Sequence, residues 1–325
     1  MEWVKDTIEC IESLKKNTYL NYEVVLVDNG SKKNDADILE GKYKDYIRLI
    51  KNKENLGFTE GNNIAIREII KEEKSDYILL LNNDTKVESN FLYELIKCAI
   101  RHLKAGSIQP KMILNSYPEI IDSAGIVYSK NSFGFNRGAY ESIENYNEEK
   151  EIFGCCAGAC LYKIEALRDI KINDEYFDKD FFAFYEDVDL SIRLQWAGWN
   201  SWYCPKAIVY HKRGSTTGIR SNFTIYHSAR NQTLVFFKNF PNIFIFKNFL
   251  LFFLAEISQI FLNLIKKKSI VLKAKIDAYK NLKKVFKKKK LIKKIVDFKE
   301  IEKWLVLKWK INASFYSYFK KQIKS

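Results

Sequence analysis

The sequence lacks paired cysteines. Its six, Cys10, Cys98, Cys155, Cys156, Cys160 and Cys204, form no CxxC pair and no histidine-spaced zinc pattern. Three of them fall in the small-residue run from Gly154 to Cys160, which reads as a tightly packed strand. Free, mostly buried thiols in a reducing compartment are the expectation. Histidine is scarce too, with only His102, His211 and His227. The start Met1-Glu2-Trp3-Val4-Lys5-Asp6 has neither a basic region nor an apolar core, so no secretory leader is expected and the protein should face the cytosol. Acids are sparse at the other end. From Pro241 to Ser325 there are 22 Lys and 5 Asp/Glu, a net +17, against +14 for all 325 residues and thus −3 for the first 240. What is present excludes disorder: 47% of residues are hydrophobic and 15% aromatic.

Through the first two-thirds, strand and helix patterns alternate. Apolar spacing at Ile8, Ile11 and Leu14 predicts a helix over 7–16. The run from Tyr22 to Val27 reads as a buried strand entering the turn Asp28-Asn29-Gly30-Ser31, and 47–50 and 77–81 as further strands. Helices are expected over 62–73, 91–103 and 187–196, the last stopping at Gly198. Residues 106–163 suit loops and strands covering an acceptor side. Strand patterns return at 199–203 and 207–211. This alternation predicts an α/β fold, a mainly parallel sheet flanked by helices, with ligands at the carboxyl ends of the strands.

Pro241 marks the boundary between a main domain, residues 1–240, and a lysine-rich helical region, residues 241–325. At 100° per residue, the polar positions of 247–263 fall in one half-turn. The opposite sector holds only Phe249, Leu250, Phe253, Leu254, Ile257, Ile260, Phe261 and Leu264. Lys247 and Glu256 are costly in a bilayer core, so an amphipathic helix lying in the membrane interface is the first expectation. Lys266-Lys267-Lys268 and Lys287–Lys290 would then meet anionic headgroups, worth about 1 kcal/mol each. An ordinary packing domain and a nucleic-acid-binding tail are the two alternatives.

Several short motifs carry chemistry, each with a plainer reading beside it. Asn82-Asn83-Asp84 follows an apolar strand; Asp84 could hold a divalent cation, or the motif could be a turn. Asp28 ends an earlier strand and could bind a base or ribose. Asn55-Leu56-Gly57-Phe58 and Gly61-Asn62-Asn63 suit close approach to a nucleotide, or simple helix capping. Glu186-Asp187-Val188-Asp189 puts three acids after the aromatic run Phe181–Tyr185. Acids favour helix starts, yet a carboxylate among aromatics is poorly solvated and more basic, as a general base requires. His211 ends a strand before a Gly/Ser/Thr-rich loop, a plausible metal-ligand position. His102 reads as structural or exposed, and His227 has no evident partner.

In their order along the chain these segments resemble family 2 glycosyltransferases of the GT-A fold, the rhamnosyltransferase-like subgroup in particular. The segments are Asp6–Leu14, Val27–Ser31, Asn55–Phe58 with Gly61–Asn63, Leu81–Thr85, Gln109–Lys111, Gly158–Leu161, Phe181–Arg193 and Pro205–His211, spread over residues 4–235.

The resemblance implies inverting sugar transfer from a nucleotide-sugar, dTDP-rhamnose or a UDP-sugar, to a hydroxyl of a cell-surface or lipid-linked glycan. Asp187 would be the base, with Glu186 and Asp189 binding acceptor. Asp28, Asn55, Gly57, Asn62, Asn82 and Asp84 would face the nucleotide-sugar. Asp84 and His211 would hold Mg²⁺ or Mn²⁺. The expected location is cytoplasmic, peripheral on the inner face of the cell membrane, without nucleic acid as a partner. Two departures from the family stand out. Asn82 replaces the first acid of the Asp-x-Asp motif. The apolar strand that precedes the first helix in the family has no counterpart. A catalytically impaired nucleotide-sugar-binding or scaffold protein of the same fold is the alternative.

Overall fold

The structure is a computed structural model in which residues 2–31, 35–213, 221–266 and 269–307 are described. The expected Gly214–Gly218 loop, Lys267 and Lys268, and the lysines after residue 307 lie outside the described residues. The chain opens with α1 (Glu2–Leu14), β1 (Val24–Asn29), α2 (Asp35–Tyr43), β2 (Ile47–Asn52), α3 (Gly57–Glu72) and β3 (Tyr77–Leu81). Then come β4 (Thr85–Val87), α4 (Phe91–Arg101), β5 (Ala105–Leu114), β6 (Tyr117–Ser123), β7 (Ile126–Tyr128), β8 (Gly134–Asn136) and β9 (Lys150–Ile152). After β10 (Ala159–Lys163), α5 (Ile164–Ile170), α6 (Glu186–Trp196) and β11 (Asn200–His211), the rest is helical: α7 (Asn222–Asn239), α8 (Asn242–Ile265), α9 (Ile270–Lys280), α10 (Leu282–Lys289) and α11 (Phe298–Glu302).

The α/β class is as expected, and the sheet is mixed. The strand order is β3-β10-β5-β11-β4, with β6 on β5 and β9 on β11. Its longest pairing, β5 with β11, is parallel, as is β1 with β2; β10 runs antiparallel between β3 and β5. Every residue of β5 is buried, including the polar Ser107, Gln109 and Lys111. Gln109 survives there because its amide accepts from Cys156 N at 2.7 Å and donates to Ala159 O at 3.2 Å. Lys111 reaches Asn147 Oδ1 at 2.7 Å. The small-residue run beside β5 is tight as anticipated, since a Cβ on Gly154 would lie 2.3 Å from Ser191, but it is mostly loop and turn and only Ala159 and Cys160 are strand. All six cysteines are free and five are buried. The two expected strands 199–203 and 207–211 are one, β11, with an irregular register between Cys204 and Ile208 where Pro205 has no N–H to give.

The parallel pair β1-β2 stands apart from the main sheet, whose edge on that side is β3. Among the described residues β1 pairs only with β2, and β3 only with β10. Both free edges border a cavity of about 2000 Å³, with Ile11 and Leu14 of α1 and Ile66 and Ile69 of α3 among its other walls. Two rows of backbone N–H and C=O groups therefore face each other across apolar walls, an arrangement that soluble sheets ordinarily cover.

The C-terminal helices pack onto the main domain. Phe236 of α7, Phe240 just after it, Phe252 of α8, Ala278 of α9 and Ile301 of α11 share one core with Tyr128 and Trp196. Asymmetry in α8 was legible, but its polar side points inward. Glu256 is buried against Lys275 and accepts from Thr233 Oγ1 at 3.0 Å, and Gln259 donates to Gln232 at 2.9 Å. Outward face Leu250, Leu254 and Phe261, which are 69%, 56% and 61% exposed. The helix is long and apolar enough to cross a membrane by length and composition. Of the Lys287–Lys290 run, Lys288 is unavailable to headgroups, being buried against Asp178 and Glu175. Truncating Glu256 would strand the Lys275 ammonium in this core. Glu256→Ala should cost about 3–5 kcal/mol in denaturant unfolding, and Glu256→Ala with Lys275→Met should recover much of it.

Candidate active site

Strand pairing assembles one end of the site from residues far apart in sequence. Antiparallel pairing of β4 with β11 sets Thr85 opposite His211, which brings the preceding Asp84 to the imidazole. Asp84 Oδ1 lies 3.2 Å from His211 Nε2, and His211 Nδ1 lies 2.7 Å from Asp122 Oδ2. Asp122 also meets Arg213 at 3.1 Å, and Arg213 donates to the Tyr140 hydroxyl at 2.8 Å. Burial works against charge on His211, yet Asp122 and Asp84 together outweigh it and push the imidazole up to about 9. Burial likewise opposes charge on Asp122, but Arg213 and His211 hold its carboxyl below the usual range.

With Nδ1 committed to Asp122, Nε2 is aimed at Asp84. That is the carboxylate–histidine arrangement that orients metal ligands, and the oxygen and nitrogen are spaced as neighbouring ligands of one ion. A proton and a divalent cation would compete for Nε2, and the donor set fits Mg²⁺ or Mn²⁺. Asp122 was not singled out in the sequence. Its only signal was an acid beside Ser123-Ala124-Gly125 at a strand end, inside a stretch without regular periodicity.

The other nucleotide-side candidates converge on the same cavity, which Asn55, Gly57, Asn62, Asn82 and Asp84 all line. Asp28 does not line it. Buried at the end of β1, it accepts from Ser31 N at 3.1 Å and so shapes the turn. Its neighbour Asn29 lines the cavity and was missed. Asn29 donates to Gly57 O at 2.9 Å and accepts from Leu56 N at 3.2 Å, pinning the loop before α3 to β1. Gly57 has φ +79°, and a Cβ there would sit 2.6 Å from Phe182 O. No other residue type fits that approach.

The acid cluster splits in two. Glu186 and Asp187 open α6 and line the cavity. Asp187 Oδ1 accepts from Val188 N at 2.8 Å, and Oδ2 from Ala157 N at 3.3 Å. Burial raises its carboxyl to about 6, against the opposing pull of the Ala157 and Val188 amides. Glu186 is pushed well above the carboxylate range by burial and then by the Asp187 charge; its Oε2 meets no donor among the described residues. Two carboxylates with such different solvation suit one proton donor and one base.

Asp189, expected to bind acceptor, is elsewhere. It is fully buried, with Arg193 at 2.9 Å, Lys238 at 2.8 Å and Asn239 at 2.8 Å. Two residues of helix turn position 189 nearly opposite 187 and into the core, while 186 and 187 border the cavity from the first turn. Beyond the acids, Phe182, Phe184 and Phe223 give the cavity an aromatic wall, with His227 stacked on Phe182 at 5.2 Å. His227 thus has partners that its sequence neighbours did not reveal. Likewise His102 pairs with Glu149 at 2.7 Å, away from the cavity.

Residues 4–171 match Glycosyl transferase family 2. The chain is similar to the N-acetylglucosaminyl-diphospho-decaprenol L-rhamnosyltransferase of Mycobacterium tuberculosis, 26% identical over 233 residues, covering 64% of this chain and 72% of that one. It is also 22% identical over 218 residues to the poly-beta-1,6-N-acetyl-D-glucosamine synthase of Staphylococcus epidermidis, covering 67% of this chain and 48% of the relative. Among solved structures, GalNAc-T7 with UDP, GalNAc and Mn²⁺ superposes with a TM-score of 0.53 at 15% identity, over 70% of this chain and 44% of that one. That likeness is one of fold. With more than half of its residues inside the family match, and with Asp84, Asp122, Glu186 and Asp187 gathered at one cavity, the chain belongs to glycosyl transferase family 2 and is a GT-A glycosyltransferase.

Proposed function

We propose that the chain transfers a sugar, with inversion, from dTDP-rhamnose or a UDP-sugar to a hydroxyl of a lipid-linked or cell-surface glycan. The observation that carries this reading is the placement of Asp187 in the same cavity as the Asp84–His211–Asp122 relay. A bound divalent cation would neutralise charge developing on the leaving diphosphate. Asp84 and His211 hold that position, and Asp122 fixes the imidazole. Asp187 takes the proton of the acceptor hydroxyl as its oxygen attacks the anomeric carbon. Glu186 stays protonated beside it and can donate to the acceptor. The named activity of the mycobacterial relative, on a decaprenol-linked sugar, supports a lipid-linked acceptor, and so does the aromatic wall beside Asp187. Incubating the chain with dTDP-rhamnose, UDP-sugars and a polyprenyl-diphosphate-linked sugar in Mn²⁺ tests it: one donor should be consumed only when acceptor is present.

The proposal includes a membrane-surface location on the cytoplasmic side, supported by the outward apolar face of α8 and the exposed lysines at 266, 287 and 290. Vesicles containing anionic lipid should float the protein. The Leu250→Asp/Leu254→Asp pair should weaken binding tenfold or more, since each buried leucine contributes roughly 1.5–3 kcal/mol. Binding that depended on salt alone and ignored these leucines would contradict an apolar insertion.

A second reading has its own observation. The divided sheet favours a nucleotide-sugar-binding or scaffold protein with little turnover, because the strand edges at the gap border the donor side of the cavity. Donor binding without transfer or hydrolysis would support it.

A further inference from the structure

The segment that delivers Asp187 follows an unusual path. Phe182, Phe184 and Tyr185 have φ of 65°, 68° and 66°, left-handed values that bulky side chains avoid. No side chain in a regular element would hold such a path by itself. The Asp187 carboxylate is anchored mainly by backbone amides of Ala157 and Val188, so its position depends on where this backbone enters α6.

Two adjacent residues of α7 seize that backbone. Asn231 is fully buried, and its amide Nδ2 donates to Phe181 O at 2.9 Å, Ala183 O at 2.8 Å and Phe184 O at 2.7 Å. Arg230 donates from Nη2 to Phe181 O at 3.0 Å and to Asp180 O, and from Nε to Asn231 Oδ1 at 2.9 Å. The remaining carbonyl, Phe182 O, accepts from Thr59 N at 3.1 Å. Every carbonyl from Asp180 to Phe184 is thereby captured, and all but Phe182 O by this pair. An extended or helical segment would turn neighbouring carbonyls in alternating or parallel directions. Here the left-handed residues fold three of them onto one amide.

We propose that Arg230 and Asn231 are positioning residues for the transfer reaction, clamping residues 180–184 so that Asp187 stands at the reacting hydroxyl. They touch no part of the cavity's reacting region themselves; their action passes through backbone. The inference rests on Asp187 being the base, and its test keeps the two apart.

Three variants are compared with the wild type: Asn231→Ala, Arg230→Gln and Asp187→Asn. Arg230 is half-buried and its replacement is the milder one, so it stays informative if Asn231→Ala fails to fold. For either clamp variant, kcat should fall tenfold to a hundredfold, the size expected for a displacement near 1 Å. The KM for the nucleotide-sugar should change much less than kcat, since neither Arg230 nor Asn231 lines the cavity. The acidic limb of the pH profile should also move down from near pH 6, because a loosened loop admits water to Asp187. Asn231→Gln, which keeps an amide donor, should restore part of the rate.

A purely structural role predicts something different: active enzyme lost in proportion to unfolded protein, with kcat per folded molecule and the pH limb unchanged. That result, seen with Asp187→Asn inactive, overturns the clamp alone. An active Asp187→Asn would instead overturn the base assignment on which it rests.

Discussion

Replacing Asp187 by Asn should lower kcat by about 10²–10⁴-fold while leaving nucleotide-sugar binding intact. The amide keeps the shape and can still occupy the place near Ala157 N and Val188 N, but it cannot accept the hydroxyl proton. The pH dependence carries the same claim. Burial sets the Asp187 carboxyl at about 6, so the base is mostly ionised at pH 7 and becomes protonated as pH falls through 6. The rate should therefore climb from pH 5 to pH 7 and level off above it. An ordinary exposed aspartate would put that limb near 4. Isothermal titration of the nucleotide separates the variant's binding from its chemistry. Strong loss of both would mean that Asp187 shapes the donor site rather than the acceptor step.

The second large effect belongs to the opposite wall. Asp84→Asn and His211→Ala should each reduce Mn²⁺-supported turnover by roughly 10²–10³-fold, the range seen when an electrostatic stabiliser of developing charge is removed. Asp122→Asn should do less, about 10–100-fold, because it alters the imidazole's orientation and basicity without removing a ligand. This graded order distinguishes a metal relay from a plain ion-pair network. If His211 served only to bridge two carboxylates, all three substitutions would chiefly lower stability. Turnover by the folded fraction would then barely change. Mn²⁺ titrations of nucleotide affinity read the difference directly: wild type should tighten with the ion, and the Asp84 and His211 variants should not.

Much of this was readable from residue order. The strands expected at 22–27 and 77–81 are apolar runs closed by Asx turns; the second formed as expected, and the first lies two residues later, at Val24–Asn29. Asp84 and His211 were recognisable as strand-end groups, although only the β4–β11 pairing shows that they meet. What stayed hidden depended on long-range partners. Asp122 is an acid whose meaning comes from His211, 89 residues away. Asp189 looked equivalent to Asp187, but two residues along the helix send it into a core where Lys238 and Arg193 neutralise it. The grip of Arg230 and Asn231 on residues 180–184 was hidden too, since backbone carbonyls carry no sequence signal. Periodicity likewise separated the two faces of α8. It could not say which one the rest of the protein would cover, because Glu256 finds its counter-charge on another helix.

The central claim is a single-displacement transfer with one base, Asp187, set against a leaving diphosphate held by the Asp84–His211 end. The anomeric configuration of the product tests it most directly. Proton NMR of the glycoside formed from one pure nucleotide-sugar anomer should show the inverted configuration and no retained product. A retained configuration would contradict the account, since it requires a covalent intermediate or a front-face path that this arrangement does not provide.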